Sequence, residues 1–323
     1  MGIRKIIGNL LNTKLPLHNL IYRVCARMRG VYGVVFMLHR VEETNDSNFR
    51  YNENMKVSPL YLEQIILDYK KKGFDFYSLD DIYDLYINGK KITRPFVCFT
   101  LDDGYLDNYL KAYPIFKKYN VPFAIYISTD FPNEKAFLWW YALEDLLQTK
   151  SNLILSSGEV YDLSTKNNKE EAFISIREKI LCLPKENFLD AFKKLLVWED
   201  LDYLKYVKGL SMNWKQIIEL SKEPLCTIGG HTITHPSFKA LSENQIVTEV
   251  KNGCCELESY IGKPVLHFAY PFGSIMEVGE REMLITERIP FRTIASTRQY
   301  LMYSSTNRLR IPRIMLQNPD INV

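Results

Sequence analysis

The chain has 323 residues, 46% of them apolar and 24% charged, with a formal net charge of +3. That composition excludes a disordered, collagen-like or coiled-coil chain, and the charge is too small for a nucleic-acid footprint. No apolar run approaches the roughly 18 to 20 residues of a membrane span, and the length suits either two domains or one α/β barrel of about 250 residues carrying an insertion.

The charge is unevenly placed. Arg4, Lys5, Lys14, Arg23, Arg27, Arg29 and Arg40 fall in the first 40 residues with no Asp or Glu among them, which leaves the rest of the chain net acidic. The apolar residues of positions 1–30 (Ile3, Ile6, Ile7, Leu10, Leu11, Leu17, Leu20, Ile21, Val24) recur near helical spacing. A basic amphipathic segment of this kind either packs on a barrel bottom or lies in a membrane interface. Residues 6–11 are too short an apolar stretch for a secretory signal. The six Cys show no CxxC and no regular spacing, which argues against a disulfide framework and fits a reducing compartment.

From there the chain alternates strand and helix. Val31–Leu38 is a β-rich apolar run ending at His39. Ser58–Pro59 opens a helix whose Leu60, Ile65, Ile66 and Tyr69 recur at helical spacing up to Gly73. Phe74–Tyr77 predicts a short strand, and Ser78 with Asp81 predicts a capping box for a helix running to Gly89. Phe96–Leu101 and Pro122–Ile127 predict strands flanking a helix over 107–119. Residues 134–222 read mostly helical and amphipathic, with Trp139-Trp140-Tyr141 at the front, as an insertion over 133–222. The alternation resumes with a strand at 225–228, a helix at 242–261, strands at 265–269, 292–296 and 309–315, and a helix near 277–288. Such alternation predicts a parallel sheet covered by helices. In a barrel of this kind the functional residues sit at the C-terminal strand ends.

Three polar clusters fall at those ends. Asp102-Asp103-Gly104 follows the strand that closes with Thr100-Leu101. Adjacent strand residues face opposite ways, so both carboxylates reach one site only where the strand is ending. The plainer reading is a solvated turn. Gly229-Gly230-His231-Thr232-Ile233-Thr234-His235 sets two His four apart, on one side of a helical turn or of a tight loop, a frequent way to hold a transition metal. Asp with two His leaves an open coordination position, as a catalytic metal requires. The same set could hold Fe(II) in an oxygenase, but the spare carboxylate Asp102 favours hydrolysis. Ala269-Tyr270-Pro271-Phe272-Gly273 ends a further strand as an aromatic-Pro-aromatic turn.

At these clusters the chain resembles the polysaccharide deacetylase family (carbohydrate esterase family 4, NodB homology domain). The family's T-F-D-D-G motif is matched by Thr100–Gly104 with Leu101 for Phe, its H-[ST]-x-x-H motif by His231–His235, and its R-x-P-[FY]-G motif by residues 269–273. The resemblance covers roughly residues 31–132 and 223–316. It implies a distorted (β/α)7 barrel with a helical insertion, Asp102 as general base, and a divalent metal, usually zinc, on Asp103, His231 and His235.

Two departures stand out. Ala269 replaces the Arg that orients the base, and no His follows His267 to serve as the late general acid. Met37-Leu38-His39-Arg40 resembles instead the early His motif of the permuted exopolysaccharide deacetylases, which implies His39 as the acid. Barrel closure would place the first and last strands side by side. Arg313, on the last strand, is the candidate for the missing Arg, or a surface or ion-pair residue.

The resemblance implies a hydrolase that removes N-acetyl groups from an amino sugar in a polysaccharide or a lipid-linked glycan precursor. The rivals are an O-acetyl esterase, a deformylase, and a catalytically silent glycan-binding barrel. The oxyanion would be held by the metal and a backbone N–H, offered by Tyr270 beside Pro271, with Tyr270, Pro271 and Phe272 together as the substrate and oxyanion turn, and Trp139 and Trp140 offer faces on which a sugar ring stacks. With no nucleic-acid partner and a lipid-linked substrate, the expected location is cytoplasmic, peripheral on the inner membrane face through residues 1–28.

Overall fold

The computed structural model describes residues 30–45, 48–89 and 92–318. The expected amphipathic segment over residues 1–30 lies, but for Gly30, outside them. In chain order the first elements are β1 (Val31–Leu38), β2 (Arg40–Val41), α1 (Arg50–Glu53), β3 (Lys56–Val57), α2 (Pro59–Lys71), β4 (Asp75–Phe76), α3 (Leu79–Ile87) and β5 (Phe96–Leu101). A π-helical turn (Asn108–Ala112) then runs into α4 (Tyr113–Tyr119), and β6 (Phe123–Ile127) follows. Next come α5 (Trp139–Thr149), β7 (Asn152–Ile154), β8 (Val160–Asp162), α6 (Lys166–Leu181) and α7 (Phe188–Leu196). The chain continues with α8 (Trp214–Lys222), β9 (Cys226–Gly230), α9 (Glu243–Ile261), β10 (His267–Ala269), α10 (Glu280–Glu287), β11 (Thr293–Ala295), β12 (Met302–Tyr303) and β13 (Ile314–Met315).

Parallel pairing runs β1–β5–β6–β9–β10–β11. The ring closes through the last strand segment. Ile311 bridges Ala295 in parallel, and Ile314 and Met315 pair with Phe36 and Met37 of β1. With β13, these strands make the expected (β/α)7 barrel. Short pairings such as the single Phe268–Gly230 register between β10 and β9 account for its distortion. Every residue of β5 and β6 is buried, as parallel strands covered on both faces require. Each fully buried Phe there contributes about 1.5–3 kcal/mol.

The helix signals are local. Ser58 accepts the Tyr61 N–H, with Pro59 at the first helical position, and Ser78 and Asp81 form the reciprocal capping box. One expectation for α2 fails: Leu60 is 72% exposed. Leu62, Ile65, Ile66 and Tyr69 make the buried stripe, and Leu60, two residues ahead of it, falls on the other side of the helix. The helix over 107–119 also opens as a π turn rather than an α turn.

The segment between β6 and β9 departs from its expected form in two ways. It includes an antiparallel hairpin, β7–β8, beside α5, α6 and α7, whose Leu143, Leu147, Phe173, Ile176 and Phe192 form a core of their own. It also ends earlier than residue 222. Asn213 caps α8, and Ile217 and Leu220 of α8 belong to the barrel core, so α8 is the barrel helix that precedes β9. Helical periodicity is the same in both settings and does not say which core a face meets. Glu144 of α5 ties the insertion to the loop after β2. It accepts the Phe49 N–H at 2.6 Å and bonds the Asn52 amide.

Candidate active site

β1, β5, β9 and β10 all end at one mouth of the barrel. After Leu101 the Asp102 N–H still donates to Leu38 O, at 2.9 Å. Asp103 then turns left-handed (φ 77), and Gly104 follows at φ 102. This reversal ends the strand alternation and brings both carboxylates to the mouth. Gly229 allows β9 to lie against Tyr126, where a Cβ would come within 2.4 Å of the ring. The two His of the following loop sit on a tight loop, not a helical turn: Thr232 and His235 have φ of 71 and 55. Glu249 of α9 holds that loop, accepting from Ile233 N and Thr234 N at 3.0 Å and from Thr234 Oγ1 at 2.9 Å. No sequence signal singled out Glu249.

Asp103, His231 and His235 converge with one ligand atom each, all within 4.8 Å of one another. Asp103 Oδ1 is 3.4 Å from His231 Nε2 and 3.3 Å from His235 Nε2, and it is buried without a hydrogen-bond partner. His231 Nδ1 lies 2.8 Å from Ala269 O, which can only accept. The proton therefore sits on Nδ1, and Nε2 turns its lone pair toward Asp103. Burial pushes the Asp103 carboxyl up, and the His235 and His231 imidazoles beside it pull it well below its ordinary range. One carboxylate oxygen and two imidazole nitrogens, with an orphaned acceptor among them, fit a divalent cation with a free coordination position.

Asp102 is held by Arg313, which is fully buried. Nη1 and Nη2 donate to the two carboxylate oxygens at 2.6 and 2.7 Å. Arg313 is itself fixed by Ser296 O at 3.1 Å, by Thr100 Oγ1 at 3.1 Å, and over the Tyr126 ring. Burial pushes the Asp102 carboxyl up, but the Arg313 guanidinium outweighs it and keeps the group below its ordinary range. Each oxygen of the ionised carboxylate retains a lone pair after the bidentate contact.

His39 follows β1 into the same pocket. Its carbonyl accepts from Asn108 Nδ2 at 2.9 Å, and Arg40 beside it bonds Asp107 at 2.7 Å, so the π turn after β5 pins this corner. His39 Nδ1 is buried and unpartnered. Burial lowers its pKa, and the Asp103 and Asp102 carboxylates offset this only in part. His267, by contrast, starts β10 at the other end, bonded to Thr293 Oγ1 at 2.8 Å and to Asp80.

The pocket over these groups has a volume of about 430 Å³, within the range of small-molecule sites. Trp139, Trp140 and Tyr141 line one side and Phe272 another. Trp139 is packed in the core of the insertion. Trp140 is half-buried, with its ring centroid 5.9 Å from that of His235, and Phe272 flanks the same imidazole at 4.7 Å.

The Tyr270 N–H is not free for an oxyanion. It donates to Ala295 O at 3.1 Å as part of the strand pairing, and the ring is fully buried. Pro271 has no N–H. The N–H of Phe272, at φ 59, has no partner among the described residues. Arg177, Tyr51 and Asn52 also line the pocket, which nothing in their local sequence announces.

The model of the polysaccharide deacetylase family matches residues 89–279. A search among curated proteins returned no match. Among solved structures, the chain is similar to the Streptococcus pyogenes deacetylase PplD in complex with acetate (17% identity, 89% of this chain and 93% of that one, TM-score 0.59). It is also similar to IcaB from Ammonifex degensii (19%, 90% and 94%, TM-score 0.56) and to a de-N-acetylase from Aggregatibacter actinomycetemcomitans (15%, 88% and 94%, TM-score 0.57). At these identities the likeness is one of fold. The family match spans more than half of the chain. The protein therefore belongs to the polysaccharide deacetylase family, hydrolases acting on amide bonds.

Proposed function

We propose that this polysaccharide deacetylase removes N-acetyl groups from an amino sugar in a glycan or a lipid-linked glycan precursor, with one divalent cation, zinc by its donor set, on Asp103, His231 and His235. The observation that carries the reading is the pairing of two unlike carboxylates at one mouth. Asp103 faces two imidazole nitrogens, and Asp102 is locked by Arg313.

A cation held there supplies Lewis-acid polarisation of the acyl oxygen and makes water more acidic. The residues of the chain do the rest. Asp102, ionised and fixed in orientation by Arg313, accepts a proton from water as it attacks the acetyl carbon. The Phe272 N–H donates to the oxyanion that develops on the acetyl oxygen, in the role first assigned to Tyr270. His39, in the same pocket, delivers a proton to the departing amine. Trp140 gives the sugar an apolar face, and Trp139 stands behind it.

The test is acetate release from N-acetylated oligosaccharides and lipid-linked amino sugars. O-acetyl and N-formyl analogues run in parallel, and His39→Ala stands beside the natural protein. The reading expects acetate from the N-acetyl substrates and a loss of about 10²-fold in His39→Ala, with far less loss on an activated ester. Turnover of the O-acetyl or N-formyl analogue alone would reassign the bond. No turnover of any substrate by metal-loaded protein would leave a glycan-binding barrel.

A further inference from the structure

Arg177 is a pocket-lining cation for which the deacetylation steps have no use. It extends from α6 of the insertion into the cavity that also contains His39, Asp102, Asp103, His231 and His235. Its Nε donates to Tyr51 Oη at 2.7 Å, and its guanidinium carbon lies 5.2 Å from the centroid of the Tyr51 ring. Among the described residues no carboxylate lies within ion-pair distance of it. The two other arginines described above are each paired, Arg40 with Asp107 and Arg313 with Asp102.

The carboxylates of the pocket are each engaged elsewhere. Asp102 is neutralised by Arg313, Asp103 faces the two imidazoles, and Glu277 accepts from Ser274 Oγ. The contact to Tyr51 uses only Nε, so both terminal nitrogens of Arg177 keep their donors. A partly buried guanidinium without a counter-charge is costly, and a ligand that brings one offsets that cost. The fork geometry of Arg suits two oxygens of one anionic group better than a neutral hydroxyl.

We propose that Arg177, held through its Nε by Tyr51 Oη, binds an anionic group on the amino sugar whose acetamido group sits at Asp103, His231 and His235. The inference rests on the deacetylase reading and narrows its substrate to acidic amino sugars. The anion is a phosphoryl group, as on the first sugar of a lipid-linked precursor, or the carboxylate of a neighbouring uronate in a glycan.

The test compares three substrates on metal-loaded full-length protein: methyl N-acetylglucosaminide, N-acetylglucosamine 1-phosphate, and a disaccharide of N-acetylglucosamine with glucuronate. At least one acidic substrate is expected to exceed the neutral one about tenfold or more in kcat/KM, through KM, with a gap that narrows as salt rises. The favoured acidic arm identifies the source of the anion. Arg177→Gln should close the gap, and Arg177→Lys, a point charge without the fork, should restore part of it. No preference in the natural protein, or an equal loss on neutral and acidic substrates in Arg177→Gln and Arg177→Lys alike, would overturn the proposal and leave Arg177 as a packing residue. If none of the three is turned over, equilibrium binding of the 1-phosphate and the methyl glycoside still decides. A preference for the phosphate that Arg177→Gln removes supports the subsite while the deacetylase reading fails, and equal binding overturns the subsite.

Discussion

Arg313 reaches Asp102 because of where the last strand lies. The family motif places an Arg at position 269, and here that residue is Ala269, buried in β10. The closing segment runs between β11 and β1, so a side chain from it meets the same carboxylate from the other side. An ion pair with no exposed surface is expensive to break, since the partner left behind stays buried and charged. Arg313→Met should therefore lower unfolding free energy by about 3–5 kcal/mol in a urea titration. Asp102→Asn added to it should recover part of that loss. A loss below about 1 kcal/mol would show the pair to be a surface-type contact.

Asp130 gives a pH dependence at the loop between His231 and His235, where its N–H donates to Ile233 O at 3.0 Å. Burial, with Glu249 and Glu256 nearby, pushes its carboxyl up to about 6. The folded state thus holds this proton more tightly than the unfolded state, whose carboxyl titrates near ~4. Stability from this group is greatest below ~4 and falls as pH rises towards about 6. Asp130→Asn should raise Tm at pH 7, and the gain should vanish at pH 4. A variant less stable at pH 7 would contradict the assignment.

The residues legible in advance were those whose chemistry is carried by near neighbours: Asp102 and Asp103, and His231 and His235. Tyr270 was misassigned because a sequence does not show which N–H groups strand pairing consumes. Arg177 was silent because an Arg on an amphipathic helix looks the same whether it faces solvent or a pocket.

At the scale of elements, the aromatic run at the start of α5 divides its labour. Trp139 is 5% exposed and belongs to the core of the insertion, whereas Trp140 edges the pocket beside His235. Trp139→Ala should cost about 3–5 kcal/mol of stability, as a buried large-to-small change does. Trp140→Ala should raise KM with metal stoichiometry unaltered. An unchanged KM would remove Trp140 from the substrate face. Caps and strand runs were legible because Ser58, Ser78 and the apolar stretch Phe96–Leu101 act within a turn or a strand of themselves. The end of the insertion was not, because the amphipathic α8 resembles the helices before it and only packing assigns its face to the barrel.

For the whole molecule, alternation of strand and helix announced the barrel, and closure through residues 311–315 completes it. Among the described residues no helix is long and apolar enough to cross a membrane. We propose that residues 1–28 lie on the inner face of the cytoplasmic membrane, held by their apolar residues and by the attraction of five Lys/Arg to anionic lipid. The full chain should sediment with anionic vesicles at low salt. A chain lacking residues 1–28 should not, while keeping its activity on a soluble substrate. A full chain that ignores such vesicles would make the segment a packing element.

The central claim is that one divalent cation on Asp103, His231 and His235 drives acyl cleavage beside Asp102. Its most direct measurement is metal stoichiometry and acetate release, taken together on chelated, metal-reloaded and His231→Ala protein. The account predicts activity that vanishes on chelation and returns in full at one equivalent of metal, and a His231→Ala variant that folds, binds no metal and releases no acetate. Full metal occupancy in His231→Ala, or undiminished turnover by the chelated protein, would contradict it.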